Sequence, residues 1–165
     1  MKNKYLWVGS IMGIILVLDQ ITKYLVVIHV RLYEIIPVIP GFFNLTHVRN
    51  KGAAFSLLSD APAGFRMTFF VTMSLAALVV IAFIIRKTHE RLLIVAFSLI
   101  AGGALGNLID RVRYGEVVDF IQWYVKSWYW PSFNVADSAI TAGVALLVID
   151  MLFGKSTKHQ APNDK

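Results

Sequence analysis

Two aspartates, Asp119 and Asp137, sit near the two ends of the segment VVDFIQWYVKSWYWPSFNVADSAI (117–140), which is otherwise mostly aromatic or aliphatic. A carboxylate in such surroundings loses hydration, and burying it unpaired is costly. General acid–base catalysis would justify a pair of them. One carboxylate takes a proton from a water, while its protonated partner donates to a substrate carbonyl and later to the leaving amine. Close carboxylates resist double ionisation, so they share one proton and titrate together, as in the aspartic proteases.

A structural role is also available to each acid. In FNVADSAI, Asn134 fits a helix N-cap and Asp137 fits N3, a relative of the capping box. The two readings of Asp137 are compatible, because a helix N-terminus favours a charged carboxylate nearby. Asp137 is then expected to be the base and Asp119 the proton carrier. Around Asp119, EVVDFIQ reads as an apolar strand with no basic residue immediately beside it.

Asp19 and Lys23 lie four apart in the apolar stretch LDQITKYLV. Charges inside a membrane are rare and usually functional, costing roughly 2.5–3.5 kcal/mol each at a helix centre. The alternative is an i, i+4 pair near the outer end that neutralises itself, and loss of Lys23 is expected to tell on stability or binding more than on chemistry. Asp110 beside Arg111 reads as an ion pair or interface anchor. The planar fork of Arg111 also suits a lipid phosphate or a peptide carbonyl. Asn50, in RNKGAAFS, is placed to donate to a substrate backbone. Other chemistries lack their residues. His29, His47, His89 and His159 are scattered without an H-E-x-x-H pattern, and there is no nucleophile elbow or phosphate-binding glycine motif. With no cysteine there is no thiol nucleophile, thiolate metal site or disulfide. No metal or cofactor is expected.

The elements that must position these residues are mostly membrane spans. The 165 residues are 57% hydrophobic and 16% charged, with a mean hydropathy of +0.64, against about 45–50% and about 25% in soluble domains. A helix needs about 20 mainly apolar residues to cross the hydrocarbon core. Four stretches qualify, 5–28, 65–85, 92–109 and 136–153, in one polytopic domain. The first is longer than the roughly 7–15 residues of a signal-peptide core and has no A-x-A-like site, so a retained span is expected. Residues 29–64, rich in Ile, Val, Phe and Thr and punctuated by Pro37, Pro40 and Gly41, read as a small β-rich platform on the outer surface. Trp123, Tyr124, Trp128, Tyr129 and Trp130 suit the headgroup level. Gly102 and Gly106 have the small-xxx-small spacing of close helix packing. A polar tail, 154–165, follows. The net charge of +6 gathers beside the apolar blocks, at Lys2, Lys4, Arg86, Lys87, Arg91, Lys155 and Lys158. That distribution speaks for cytoplasmic termini, and no basic stripe with interleaved aromatics points to nucleic acid.

Five pieces in order, DQITK (19–23), NKGAAFS (50–56), GGALGNLIDR (102–111), VVDF (117–120) and FNVADSAI (133–140), make the sequence resemble the bacterial lipoprotein signal peptidases, signal peptidase II, along nearly its whole length. The resemblance implies an intramembrane aspartyl endopeptidase of four transmembrane helices, a small extracytoplasmic β-cradle and a short outer helix. It would sit in the bacterial inner membrane with its site near the outer face. It would cleave diacylglyceryl-modified prolipoproteins just before the lipidated cysteine, without metal or cofactor, in contact with membrane lipids and as a monomer. The family's catalytic aspartates fall on Asp119 and Asp137. Its site-shaping or substrate-binding residues fall on Asp19, Lys23, Asn50, Gly52, Asn107, Asp110, Arg111 and Asn134. Of these, Asn107 carries no signal of its own. Two other readings compete: a small proton-coupled transporter using the acids as a relay, and a membrane scaffold, which would leave the buried acids unexplained.

Overall fold

A computed structural model of the protein describes residues 3–52, 58 and 60–153. Among these residues four helices are long and apolar enough to cross a membrane: α1 (Lys4–His29), α2 (Ala63–Lys87), α3 (Arg91–Tyr114) and α4 (Val135–Phe153). Each overlaps its expected span. The largest departure is at α3, which runs five residues beyond 109 and so keeps Asp110 and Arg111 helical. Gly115 ends that helix in the left-handed conformation (φ 73°), where the lack of a Cβ removes the steric penalty, and its N–H closes on the Arg111 carbonyl at 2.8 Å.

Strands β1 (Ile35–Ile39), β2 (Phe43–Asn50), β3 (Val117–Val125) and β4 (Trp128–Tyr129) form one antiparallel sheet in the order β1-β2-β3-β4. The platform is therefore not confined to 29–64, as the composition suggested. Half of its strands come from the stretch after α3, because β3 has the apolar, β-branched residues that pair along β2. In that register Val48 faces Asp119 and Asn50 faces Val117. Within β3, the Phe120 and Ile121 N–H groups both donate to the carbonyl of Phe133, which lies beyond the strand, at 3.0 and 2.8 Å. That pin delivers Asn134, the next residue, to the start of α4 beside the strand. Among the described residues there is no separate short outer helix. Residues 53–57 and 59, which include most of NKGAAFS, lie outside them, as does the tail from 154.

Helix α3 packs against α1, α2 and α4. Its glycines set how closely. A Cβ on Gly102 would press on Met12 and Ile15 of α1, one on Gly103 would run into the Ala136 carbonyl of α4, and one on Gly106 would lie 2.5 Å from Asp19 Oδ2. The spacing of Gly102 and Gly106 thus means close packing against α1, with Gly103 adding a second contact face. A cluster of Val26, Val30, Val118 and Phe120 seats the sheet on the end of α1. At the other end of the bundle, Lys4 Nζ donates to the Arg86 and Thr88 carbonyls, both at 3.0 Å.

Candidate active site

Asp119 and Asp137 arrive from a strand and a helix and meet at one residue, Asn134. Its side-chain amide nitrogen donates to Asp119 Oδ1 at 2.7 Å, and its backbone N–H donates to Asp137 Oδ2 at 3.2 Å. In return, the Asp137 N–H donates to Asn134 Oδ1 at 2.9 Å. This is the reciprocal capping box expected at the start of α4, and it places Asp137 near the positive end of the helix. The remaining carboxylate oxygens are also met: Asn50 Nδ2 donates to Asp119 Oδ2 at 2.9 Å and Asn107 Nδ2 to Asp137 Oδ1 at 2.8 Å.

Asp119 is buried, at 2% exposure. Burial, reinforced by the charge of Asp137, pushes its carboxyl up to about 7, against the pull of the Asn50 and Asn134 hydrogen bonds and the Lys23 charge. Asp119 is therefore a carboxyl that still holds its proton just below neutrality.

Behind the pair lies a second polar layer. Lys23, in α1, donates to Asp19 Oδ2 (2.9 Å), Asp110 Oδ2 (3.0 Å) and Asn107 Oδ1 (2.9 Å). The neutralisation expected of Asp19 and Lys23 is present, but it is wholly buried rather than interfacial, at 0% and 3% exposure. It also includes a third member. Asp110 pairs with Lys23 across the bundle, so its expected pairing with its neighbour Arg111 gives way. Arg111 instead stacks over Phe70, 4.7 Å from the ring centroid, and reaches the Gly52 carbonyl at 3.4 Å. Gln20, which the sequence did not single out, donates to both Asp19 Oδ2 and Asp110 Oδ1 at 3.1 Å. Its place inside DQITK was the available signal.

A cavity of about 1190 Å³ opens onto the pair. Asn50, Gly52, Asn107 and Arg111 line it beside the two aspartates, Trp123 and Trp130 line it from the sheet side, and Thr141 and Ala145 continue it down α4. Of the ten expected site residues, Asp19, Lys23, Asp110 and Asn134 do not line the cavity. Among the described residues no group of His, Cys, Asp and Glu is arranged to hold a metal ion.

Comparison with known proteins adds a family to this geometry. The sequence matches the family described as signal peptidase (SPase) II over residues 11–153. The lipoprotein signal peptidase of Geobacter metallireducens is 51% identical, covering 92% of this chain and 94% of its own, and that of Geobacter sulfurreducens is 49% identical over 98% and 100%. A bacterial membrane enzyme solved by the in meso method at 2.3 Å resolution superposes with a TM-score of 0.85 at 37% identity, covering 95% of this chain and 94% of that one.

Proposed function

The chain belongs to the signal peptidase II family, and on that premise we propose that it removes signal peptides from diacylglyceryl-modified prolipoproteins through Asp119 and Asp137. Membership makes it a protease that processes lipoproteins and a multi-pass inner membrane protein. The two-aspartate mechanism and the cut before the lipidated cysteine are our reading. The observation that carries it is the Asn134 bridge, which binds one carboxylate through its side chain and the other through its backbone.

In that mechanism Asp137 removes a proton from a water as its oxygen attacks the scissile carbonyl carbon, and Asp119 gives its proton to the carbonyl oxygen. The resulting diol collapses when Asp137 passes its proton to the leaving nitrogen and Asp119 takes one back from a hydroxyl. The C–N bond breaks, leaving a carboxylic acid and an amine, and the pair is back in its starting state. The proton held by Asp119 up to about pH 7 suits it to the acid role. The donors around both carboxyls are fixed before substrate arrives, so they need no reorganisation as charge moves. Arg111, Asn50 and Gly52 border the cavity where a substrate backbone would lie.

Lys4, Arg86, Lys87 and Arg91 gather at the end of the bundle away from the sheet, which supports cytoplasmic termini. The exposed Trp128 and Trp130 then fall at the outer headgroup level, near the site. A single chain supplies every residue in the mechanism, so a monomer suffices. The acids Asp19, Asp110, Asp119 and Asp137 gather at that end instead of lining a path, which disfavours a proton-coupled transporter.

The test is cleavage of a diacylglyceryl-cysteine peptide and its unlipidated twin by purified protein in detergent. Only the lipidated peptide should be cut, and Asp119→Asn and Asp137→Asn should each abolish turnover while the chain folds. Undiminished turnover in either variant would end the two-aspartate reading.

A further inference from the structure

The buried polar layer behind the aspartates has an arrangement that neutralising charge would not require. Asp19 Oδ1 accepts the Ala136 N–H at 2.9 Å, and Asp110 Oδ2 accepts the Val118 N–H at 3.1 Å. Ala136 immediately precedes Asp137, and Val118 immediately precedes Asp119. Each supporting acid therefore grips the backbone one residue ahead of one member of the pair, and Lys23 joins the two acids to each other. The third N–H of the ammonium goes to Asn107 Oδ1. An ammonium has three donors and no acceptor, so with Asn134 Nδ2, which donates to the same oxygen at 3.2 Å, it sets which way the Asn107 amide faces, and its bond is the shorter and charged one. The oxygen must face Lys23, which turns the nitrogen onto Asp137. Gly106 leaves the room that lets Asp19 approach so closely.

We propose that Lys23 is a positioning residue for the reaction: it ties the strand end that carries Asp119 to the helix start that carries Asp137, and it orients Asn107 so that its amide nitrogen serves Asp137. The inference rests on the two-aspartate reading. It reverses the expectation that loss of Lys23 would tell mainly on stability or binding. A misplacement of about 1 Å at a reacting group costs on the order of 100-fold in rate, and the Lys23 tie spans both reacting groups.

Two variants separate positioning from charge balance, each assayed for kcat and KM on the lipidated peptide and for thermal unfolding in detergent. Lys23→Met leaves Asp19 and Asp110 without a counter-ion, so it is paired with the neutralised variant Lys23→Met, Asp19→Asn, Asp110→Asn. In the latter the asparagine oxygens still accept the Ala136 and Val118 N–H groups, but Asn107 Oδ1 loses the charged donor and keeps only the longer bond from Asn134 Nδ2, at 3.2 Å. The neutralised variant should fold and keep KM within about 3-fold of wild type, with kcat down by on the order of 100-fold. Recovery of kcat to within about 3-fold of wild type would overturn the proposal, since charge balance alone would then have been what Lys23 supplies. A rise in KM with kcat intact would also overturn it. So would a neutralised variant that no longer folds, because Lys23 would then be holding the fold and not the site. Asp119→Asn and Asp137→Asn run alongside as single variants. If they retain turnover, it is the two-aspartate reading that has failed, and the result is distinct from any Lys23 outcome.

Discussion

Helices α2 and α3 have nearly the same length and similarly apolar sequences, yet the molecule uses them in opposite ways. Helix α3 buries ten of its residues, among them three glycines, Asn107 and Asp110, whereas α2 buries only Ile81 and Ile85. The difference lies in side-chain size. Small residues let α3 approach α1 and α4 closely enough for polar groups on all three to reach one another. Helix α2 offers Phe69, Val79, Val80 and Phe83 to its surroundings, as a lipid-facing helix does. It touches the site through Phe70, which lies beneath Arg111. Polar chemistry in this bundle follows close packing.

Perturbations on α3 should therefore be costly and matched ones on α2 cheap. Asn107→Ala removes the donor to Asp137 and leaves Lys23 and Asn134 without their shared acceptor. Hydrogen bonds to charged groups are worth about 1.5–3 kcal/mol each, so kcat should fall by on the order of 100-fold or more. Gly103→Ala pushes a methyl into the Ala136 carbonyl, beside Asp137. Overpacking of this kind costs about 1–3 kcal/mol, read as a lowered melting temperature with a drop in rate. The matched change on α2, Ala77→Leu at an exposed position, should stay within about 0.5 kcal/mol. Equal losses from the two would erase the contrast. Phe70→Ala comes next: it frees Arg111 from its ring and should raise KM several-fold, since a cation–π contact between half-buried groups is worth about 0.5–2 kcal/mol. If kcat collapsed with KM unchanged, α2 would have to be counted as part of the site.

Much of this contrast could be read from the sequence, but not all of it. The spans, the strand character around Asp119 and the capping box at Asn134 and Asp137 are local patterns, set within about one turn or one strand, and the structure has each of them. The partners of Asp110 and the true extent of the sheet are not local. Asp110 sits beside Arg111 in sequence, but on a helix adjacent residues point apart, so it turns inward to Lys23, which is 87 positions away. Likewise β3 joins a sheet whose other long strand lies before α2, a pairing that no window of sequence contains. Asn107 is the sharpest case. Its type and neighbours say nothing, and its place in the site comes from what α1 and the start of α4 set around it.

The smallest expected effect concerns pH, and it asks whether the buried polar side alone sets the response. In the proposed mechanism the working form of the pair carries one proton. Asp119 holds that proton until its carboxyl titrates near 7, so kcat should fall as pH rises through about 7. The Asn50 hydrogen bond favours the charged form and so pulls the Asp119 value down. Asn50→Ala should therefore move the alkaline limb upward, while Ser74→Ala on α2 should leave it in place. Folding gives the same sign. The folded chain keeps the Asp119 proton up to about 7, whereas the unfolded chain releases it near the ordinary value of about 3.9. Between those limits the folded state binds more protons, so this group's contribution to stability declines as pH rises. The proposed mechanism uses no metal, so EDTA should shift neither the limb nor the rate; a rate lost in EDTA and restored by zinc would break that account. A limb that moved downward in Asn50→Ala would mean that Asp119 is not the group titrating there, and the acid and base roles of the two aspartates would have to be exchanged.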